Sequence, residues 1–143
     1  MSYQTIITPA SLAENLDTPN WLILDCRDTL LNNNNNNHQN FLENCIPNAH
    51  CCLMDDVFYK TVNIDKRHFL PAEPTLVLEE LQRQGFDEFT QIVIYEDLNS
   101  SFTDTIWLKF RSLGLKNVAV LQGGFTSWKD QNLPLCTGSK SKI

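Results

Sequence analysis

No apolar run in the sequence approaches the length of a bilayer-spanning helix; the longest is only a strand's worth. The opening MSYQTIITPAS has no basic stretch followed by an apolar one, so export by a cleaved signal is not expected and a cytosolic location is. Clustered Lys and Arg are also missing: basic residues are scattered, with a small group at Lys140 and Lys142, and the net charge is −6. That balance argues against nucleic acid, whose binding needs a basic patch to displace counterions. There is no Cys-x-x-Cys pair among the five cysteines, so the expected state is free thiols, mostly buried as small hydrophobes. His50, Cys51 and Cys52 are adjacent, but successive strand side chains point to opposite faces and three in a row cannot converge on a metal. No metal and no cofactor are therefore expected. A Gly-x-Ser-x-Gly signal is absent, and Ser100 and Ser101 have no sequence support as nucleophiles.

What is present is the composition of an ordinary soluble globule, 42% apolar and 20% charged over 143 residues, enough for one core. One domain over 1–143 is expected, with an Asn-rich loop over 32–40 and a flexible tail over 138–143. Six consecutive asparagines, Asn32 to Asn37, favour neither helix nor strand. Thr8-Pro9-Ala10 predicts a short helix start, with Thr8 as cap and Leu12 and Leu16 on one face. WLIL (21–24), ended by Asp25, QIVIY (91–95) and Val118 to Leu121 are continuous apolar runs that predict strands covered on both faces. A short strand is expected around His50 to Leu53, and Asp55 to Pro74 reads as irregular. Leu76, Val77, Leu81 and Gln84 predict a helix closed by Gly85. Ile106, Trp107, Phe110 and Leu113 predict a second helix, from Thr103 to Gly114, whose apolar side chains read as core. A short last helix is expected to end near Gln131.

Strands alternating with amphipathic helices predict an α/β fold: a parallel sheet of about five strands between helices on both faces. Ligands of such sheets bind beyond the C-terminal strand ends. Chemistry is thus expected just after Leu24, Tyr95 and Leu121.

LILDCR (22–27), IPNAH (46–50), IVIYED (92–97), TIWLKFRSLG (105–114) and VAVLQGGFTSWKDQNLPL (118–135) resemble the rhodanese family in order and spacing. The likeness runs from about Ile7 to Thr137, and implies the three-layer rhodanese-like fold. The spacing from Glu96 to Gly114 is more similar to the non-catalytic N-terminal half of two-domain thiosulfate and 3-mercaptopyruvate sulfurtransferases. The closing NLPLCTG (132–138) is similar to the start of their interdomain linker.

In active relatives a cysteine follows the IVIY strand and heads a loop whose backbone N–H groups stabilise a thiolate and then a persulfide. Here the position is Glu96, and the loop reads Glu96, Asp97, Leu98, Asn99, Ser100, Ser101, Phe102. A carboxylate cannot carry the sulfane sulfur, and the loop has no arginine to balance an anionic substrate. Two like charges roughly 4 Å apart repel by about 1 kcal/mol in water and about 4 kcal/mol at an effective dielectric of 20, so Glu96, Asp97 and Asp104 oppose thiosulfate. Ser101 or Thr103 reads as a helix cap, with Asp104 complementing the helix dipole.

Asp25 and Arg27 match the family's Asp-x-Arg element, and Cys26 between them is the alternative nucleophile, its thiolate favoured by the charge of Arg27. Against that, Cys26 also reads as a packed core thiol. Cys51 and Cys52 stand at apolar strand positions, Cys45 stands where the family often has histidine, and Cys136 is expected to be exposed and oxidisable. The resemblance leaves two functions open. One is a catalytically silent module (a pseudoenzyme) that binds a protein partner. The other is the N-terminal half, or a subunit, of an active sulfurtransferase whose cysteine lies in another domain or chain. In the second case the helix bearing Trp107, with Trp128, would supply the docking face. A phosphatase-like use of the fold needs a loop cysteine and arginine and is set aside.

Overall fold

The computed structural model describes residues 3–26, 44–51, 59–61, 69–71, 82, 87–98, 101–112 and 114–136. In chain order these give β1 (Ile6–Ile7), α1 (Pro9–Ala13), β2 (Trp21–Asp25), β3 (Ala49–Cys51), β4 (Tyr59–Thr61), β5 (Phe69–Pro71), β6 (Gln91–Tyr95), α2 (Ser101–Ser112), β7 (Val118–Leu121) and α3 (Gly124–Asp130). The Asn-rich loop over 32–40, the helix expected over 76–84 except for Gln82, which is helical, and the tail over 138–143 lie outside the described residues, as do Arg27, Cys52, Asn99, Ser100 and Leu113.

The sheet forms because three runs, WLIL, QIVIY and VAVL, carry apolar side chains on both faces and can be buried only between layers. Five strands join it in the order β1-β7-β6-β2-β3, and each pairing is parallel. Register puts Ile23 beside Val93 and Val93 beside Ala119, so alternate residues build two apolar faces. One face packs Ile23, Val93, Tyr95, Ala119 and Leu121 with Leu12 of α1 and Phe125 and Trp128 of α3. On the other, α2 lies against β6 and β7 with Ile106 and Phe110 buried. This is the expected three-layer α/β architecture.

Local signals act as read at both helices near the chain's ends. Thr8 accepts a hydrogen bond from the Ser11 N–H at 3.1 Å, and Pro9 opens α1. The helix stops at Ala13, however, so Leu16 packs on the core from a turn. α3 ends at Asp130 with Gln131 as its cap.

Several expectations need correction. Asp25, which ends the apolar run, is itself the last residue of β2 and is fully buried. The short strand expected around His50 is found as β3, described over Ala49–Cys51, with Cys52 and Leu53 outside the described residues. The stretch read as irregular holds the antiparallel pair β4–β5, and β1 was not foreseen; strands of two or three residues are too short to show a period. α2 begins at Ser101, so Thr103 lies inside the first turn and is no cap. Among the described residues no helix is long and apolar enough to cross a membrane.

Candidate functional site

β2 leads on to β3 on one side, while β6 pairs with β2 on the other, so the strand order reverses between β2 and β6. In an open parallel sheet the crevice beyond such a reversal is where ligands are held. The residues at this edge are Asp25 and Cys26 from β2, and Tyr95, Glu96, Asp97 and Leu98 from β6. The turn Gln122-Gly123-Gly124 after β7 adjoins them.

Asp25 is placed by its strand and held by a side chain that the sequence reading did not single out. The Tyr95 hydroxyl donates to Asp25 Oδ2 at 2.8 Å and accepts from the Ile46 N–H at 3.3 Å. The Tyr95 ring stacks on Phe125 of α3, with centroids 5.8 Å apart. One phenol thus ties together β2, the segment entering β3 and the layer above. Tyr95→Phe keeps the ring and removes both bonds, leaving a buried carboxylate with one donor fewer and a buried N–H without its partner. A loss of about 1.5–3 kcal/mol is expected, read as a lower urea midpoint with unchanged slope. A midpoint equal to the parent's would show that neither bond contributes.

Cys26 is fully buried. Its N–H donates to the Tyr95 carbonyl at 2.8 Å and its Sγ lies 3.8 Å from the Leu24 carbonyl. A sulfur in that position cannot meet a substrate without opening the β2–β6 edge, which favours packing over nucleophilic attack.

Glu96 is 6% exposed. Its carboxylate oxygen Oε2 accepts a hydrogen bond from the Thr103 hydroxyl, in the first turn of α2. A carboxylate at a helix N-terminus is favoured by the dipole and by the N–H groups that have no partner within the helix. Asp104, exposed in the same turn, adds to that complementarity. Asp97 and Leu98 are exposed at the rim, Leu98 to 66%. Of Ser101 and Phe102 only the backbone is described, within α2.

The loop after β6 is fastened from below by the last helix. Phe125 N–H donates to the Glu96 carbonyl at 2.8 Å and Thr126 N–H to the Asp97 carbonyl at 3.0 Å. Gly124 makes this approach possible. It has φ +67°, and a Cβ there would stand 2.7 Å from both the Glu96 and Asp97 carbonyl oxygens. First-turn N–H groups of α3 that would otherwise seek water are thereby spent on the loop backbone.

The structure therefore brings Asp25, Cys26, Glu96, Asp97 and Thr103 to one sheet edge. Trp128, expected as part of an outer docking face, is fully buried and donates through Nε1 to the Pro134 carbonyl at 2.7 Å. Trp107 is half-buried rather than core: its Nε1 donates to the Val118 and Gln4 carbonyls at 2.9 and 3.1 Å. Tyr95 and Gly124 are the residues that reading missed, and Thr103, read as a cap, bonds Glu96 instead. Only Tyr95 carried a signal, as a polar-tipped side chain closing an otherwise apolar strand. Among the described residues no three His, Cys, Asp or Glu side chains converge as metal ligands.

Comparison with known proteins gives a consistent result. The Rhodanese-like domain family matches residues 8–131. A probable 3-mercaptopyruvate sulfurtransferase of Pseudomonas aeruginosa is 33% identical over 99% of this chain and 50% of its own length. A putative thiosulfate sulfurtransferase, SseB, of Mycobacterium tuberculosis is 29% identical over 96% of this chain and 48% of its own. The crystal structure of SseA from Escherichia coli, a 3-mercaptopyruvate sulfotransferase, superposes over 99% of this chain and 54% of that one, with TM-score 0.77 at 21% identity. The chain spans about half the length of the curated relatives that it matches along nearly its whole length.

Proposed function

The chain belongs to the rhodanese-like domain family, and on that premise we propose that it is a member without sulfur-transfer chemistry of its own, serving as a binding or structural module. The observation that carries this reading is Glu96. At the end of β6, where the family resemblance places the sulfur-carrying cysteine, stands a buried carboxylate bonded to Thr103. A carboxylate can neither attack the outer sulfur of thiosulfate nor hold it as a persulfide. The neighbouring Asp97 and Asp104 oppose an anionic substrate.

A binding role is supported by an apolar groove beside the sheet's β1 edge, of about 320 Å³, lined by Thr5, Ile6, Asp104, Trp107, Leu108 and Val120. Ile6 and Leu108 stand 50% and 58% exposed there, and exposed apolar side chains that cluster in one place mark contact surfaces more often than scattered ones do.

A second reading has its own support. The chain matches sulfurtransferases along nearly its full length and about half of theirs, as one half of a two-domain enzyme would. In that case it is the non-catalytic half or subunit, and Glu96 costs the whole enzyme nothing. A reading frame that continues into a second domain bearing a loop cysteine would favour this reading over the first.

Thiocyanate formation from thiosulfate and cyanide tests the silence of the domain. The parent chain is expected to give none above the protein-free rate. The variant Glu96→Cys, which puts a thiol at the N-terminus of α2 where thiolates are favoured, is expected to give a slow but measurable rate. Turnover by the parent equal to that of Glu96→Cys would overturn the reading.

A further inference from the structure

Cys45 and Cys136 lie directly opposite one another in an isolated antiparallel bridge. They exchange both backbone hydrogen bonds: Cys45 N–H to the Cys136 carbonyl at 2.7 Å, and Cys136 N–H to the Cys45 carbonyl at 2.9 Å. Such a pair holds its Cα atoms about 5.5 Å apart with both side chains on one face, inside the range of roughly 4.4–6.8 Å that a disulfide spans, while its Cβ atoms, at the wide end of about 4.5–5.5 Å, must draw together on closure. Both backbones are anchored on either side of the bridge. The Ile46 N–H donates to the Tyr95 hydroxyl, and the Pro134 carbonyl accepts from Trp128 Nε1. The two thiols differ in access: Cys45 is 2% exposed, within the core cluster, whereas Cys136 is exposed.

We propose that Cys45 and Cys136 are a redox modification site, a thiol pair that closes to a disulfide in the presence of a low-molecular-weight disulfide and reopens in reducing conditions. The thiolate of Cys136, the sulfur a reagent can reach, attacks the small disulfide. A Cys136–S bond forms, the reagent's S–S bond breaks, and one small thiol leaves. The Cys45 sulfur, having lost its proton to solvent, then attacks the Cys136 sulfur of that mixed disulfide. The protein disulfide forms and the second small thiol leaves, so two protein thiols are oxidised and one reagent disulfide is reduced to two thiols. Burial of Cys45 gives the order of events, because a reagent in solvent reaches the exposed Cys136 first. Closure staples the segment entering β3, which abuts the Tyr95–Asp25 contact, to the segment leaving α3. The site is independent of Glu96 and stands whichever reading of that residue holds.

The test is to incubate the full chain with glutathione disulfide and map its peptides without reduction. The expected result is a Cys45–Cys136 linked peptide that dithiothreitol abolishes. The oxidised chain should also melt on the order of 10 °C higher than the reduced one, because the bond closes a long loop in the unfolded chain. Cys45→Ser should instead leave glutathione standing on Cys136. Three results would overturn the proposal: a parent chain that accumulates glutathione on Cys136 with no linked peptide, one that links Cys136 to a different cysteine, or one that does not react.

Discussion

Replacing Trp128 by alanine is expected to remove about 3–5 kcal/mol of stability, the range for emptying a large aromatic site in a core. The side chain is fully buried in one core cluster with Leu12, Tyr95, Leu121 and Phe125. Its Nε1 also holds the Pro134 carbonyl, which would be left to find another donor. At the low end of the total stability of about 5–15 kcal/mol for a domain, such a loss populates the unfolded state heavily. Urea denaturation followed by fluorescence measures it, and Trp128→Phe separates its parts. Phenylalanine restores most of the packing and should recover more than half of the loss, leaving about 1–2 kcal/mol for the indole bond. A Trp128→Ala variant within about 1 kcal/mol of the parent would mean that α3 contributes little to the core.

Gly124→Ala is expected to cost about 3 kcal/mol, from two separable sources. A left-handed backbone conformation at a residue with a Cβ costs roughly 1–2 kcal/mol. Forcing the new methyl against the Glu96 and Asp97 carbonyl oxygens, 2.7 Å from its ideal position, adds about 1–3 kcal/mol of overpacking. Gly114 supplies the control. Its φ is +89°, yet a Cβ there meets nothing within 4 Å, so Gly114→Ala should show the conformational part alone. If the two variants lose equal stability, the close seating of the 96–97 loop on α3 is not a feature of the folded molecule in solution. If Gly124→Ala loses clearly more, the loop is fixed by the turn after β7, and the place where relatives do chemistry is held here as a packed backbone contact.

The parts of this fold that were legible in the sequence are those whose physics is local or repetitive. WLIL, QIVIY and VAVL announce buried strands because both of their faces are apolar. Thr8-Pro9 and Gly114 announce a helix start and stop because the cap and the turn each demand a residue type. β1 and the β4–β5 pair escaped because two or three residues cannot display a period. The burial of Asp25 was not legible because its partner, the Tyr95 hydroxyl, is supplied from the neighbouring strand seventy residues on. Thr103 looked like a cap because it sits near a helix start. Its actual partner, Glu96, was visible in the sequence but not its direction, since a side chain leaving a strand end can turn to either layer. Cys45 and Cys136 carried no mutual signal at all; only the bridge between their backbones brings them together.

The central claim is that no residue at the β2–β6 edge accepts sulfur, and intact-mass spectrometry tests it before any acceptor intervenes. The parent chain would be treated under reducing-agent-free conditions first with thiosulfate, then separately with 3-mercaptopyruvate, and weighed, with Glu96→Cys as comparator. The expected result is an unchanged parent mass and a Glu96→Cys variant heavier by one sulfur atom. A parent chain that gains one sulfur atom, mapped to Cys26, would contradict the claim and place the nucleophile on the neighbouring strand.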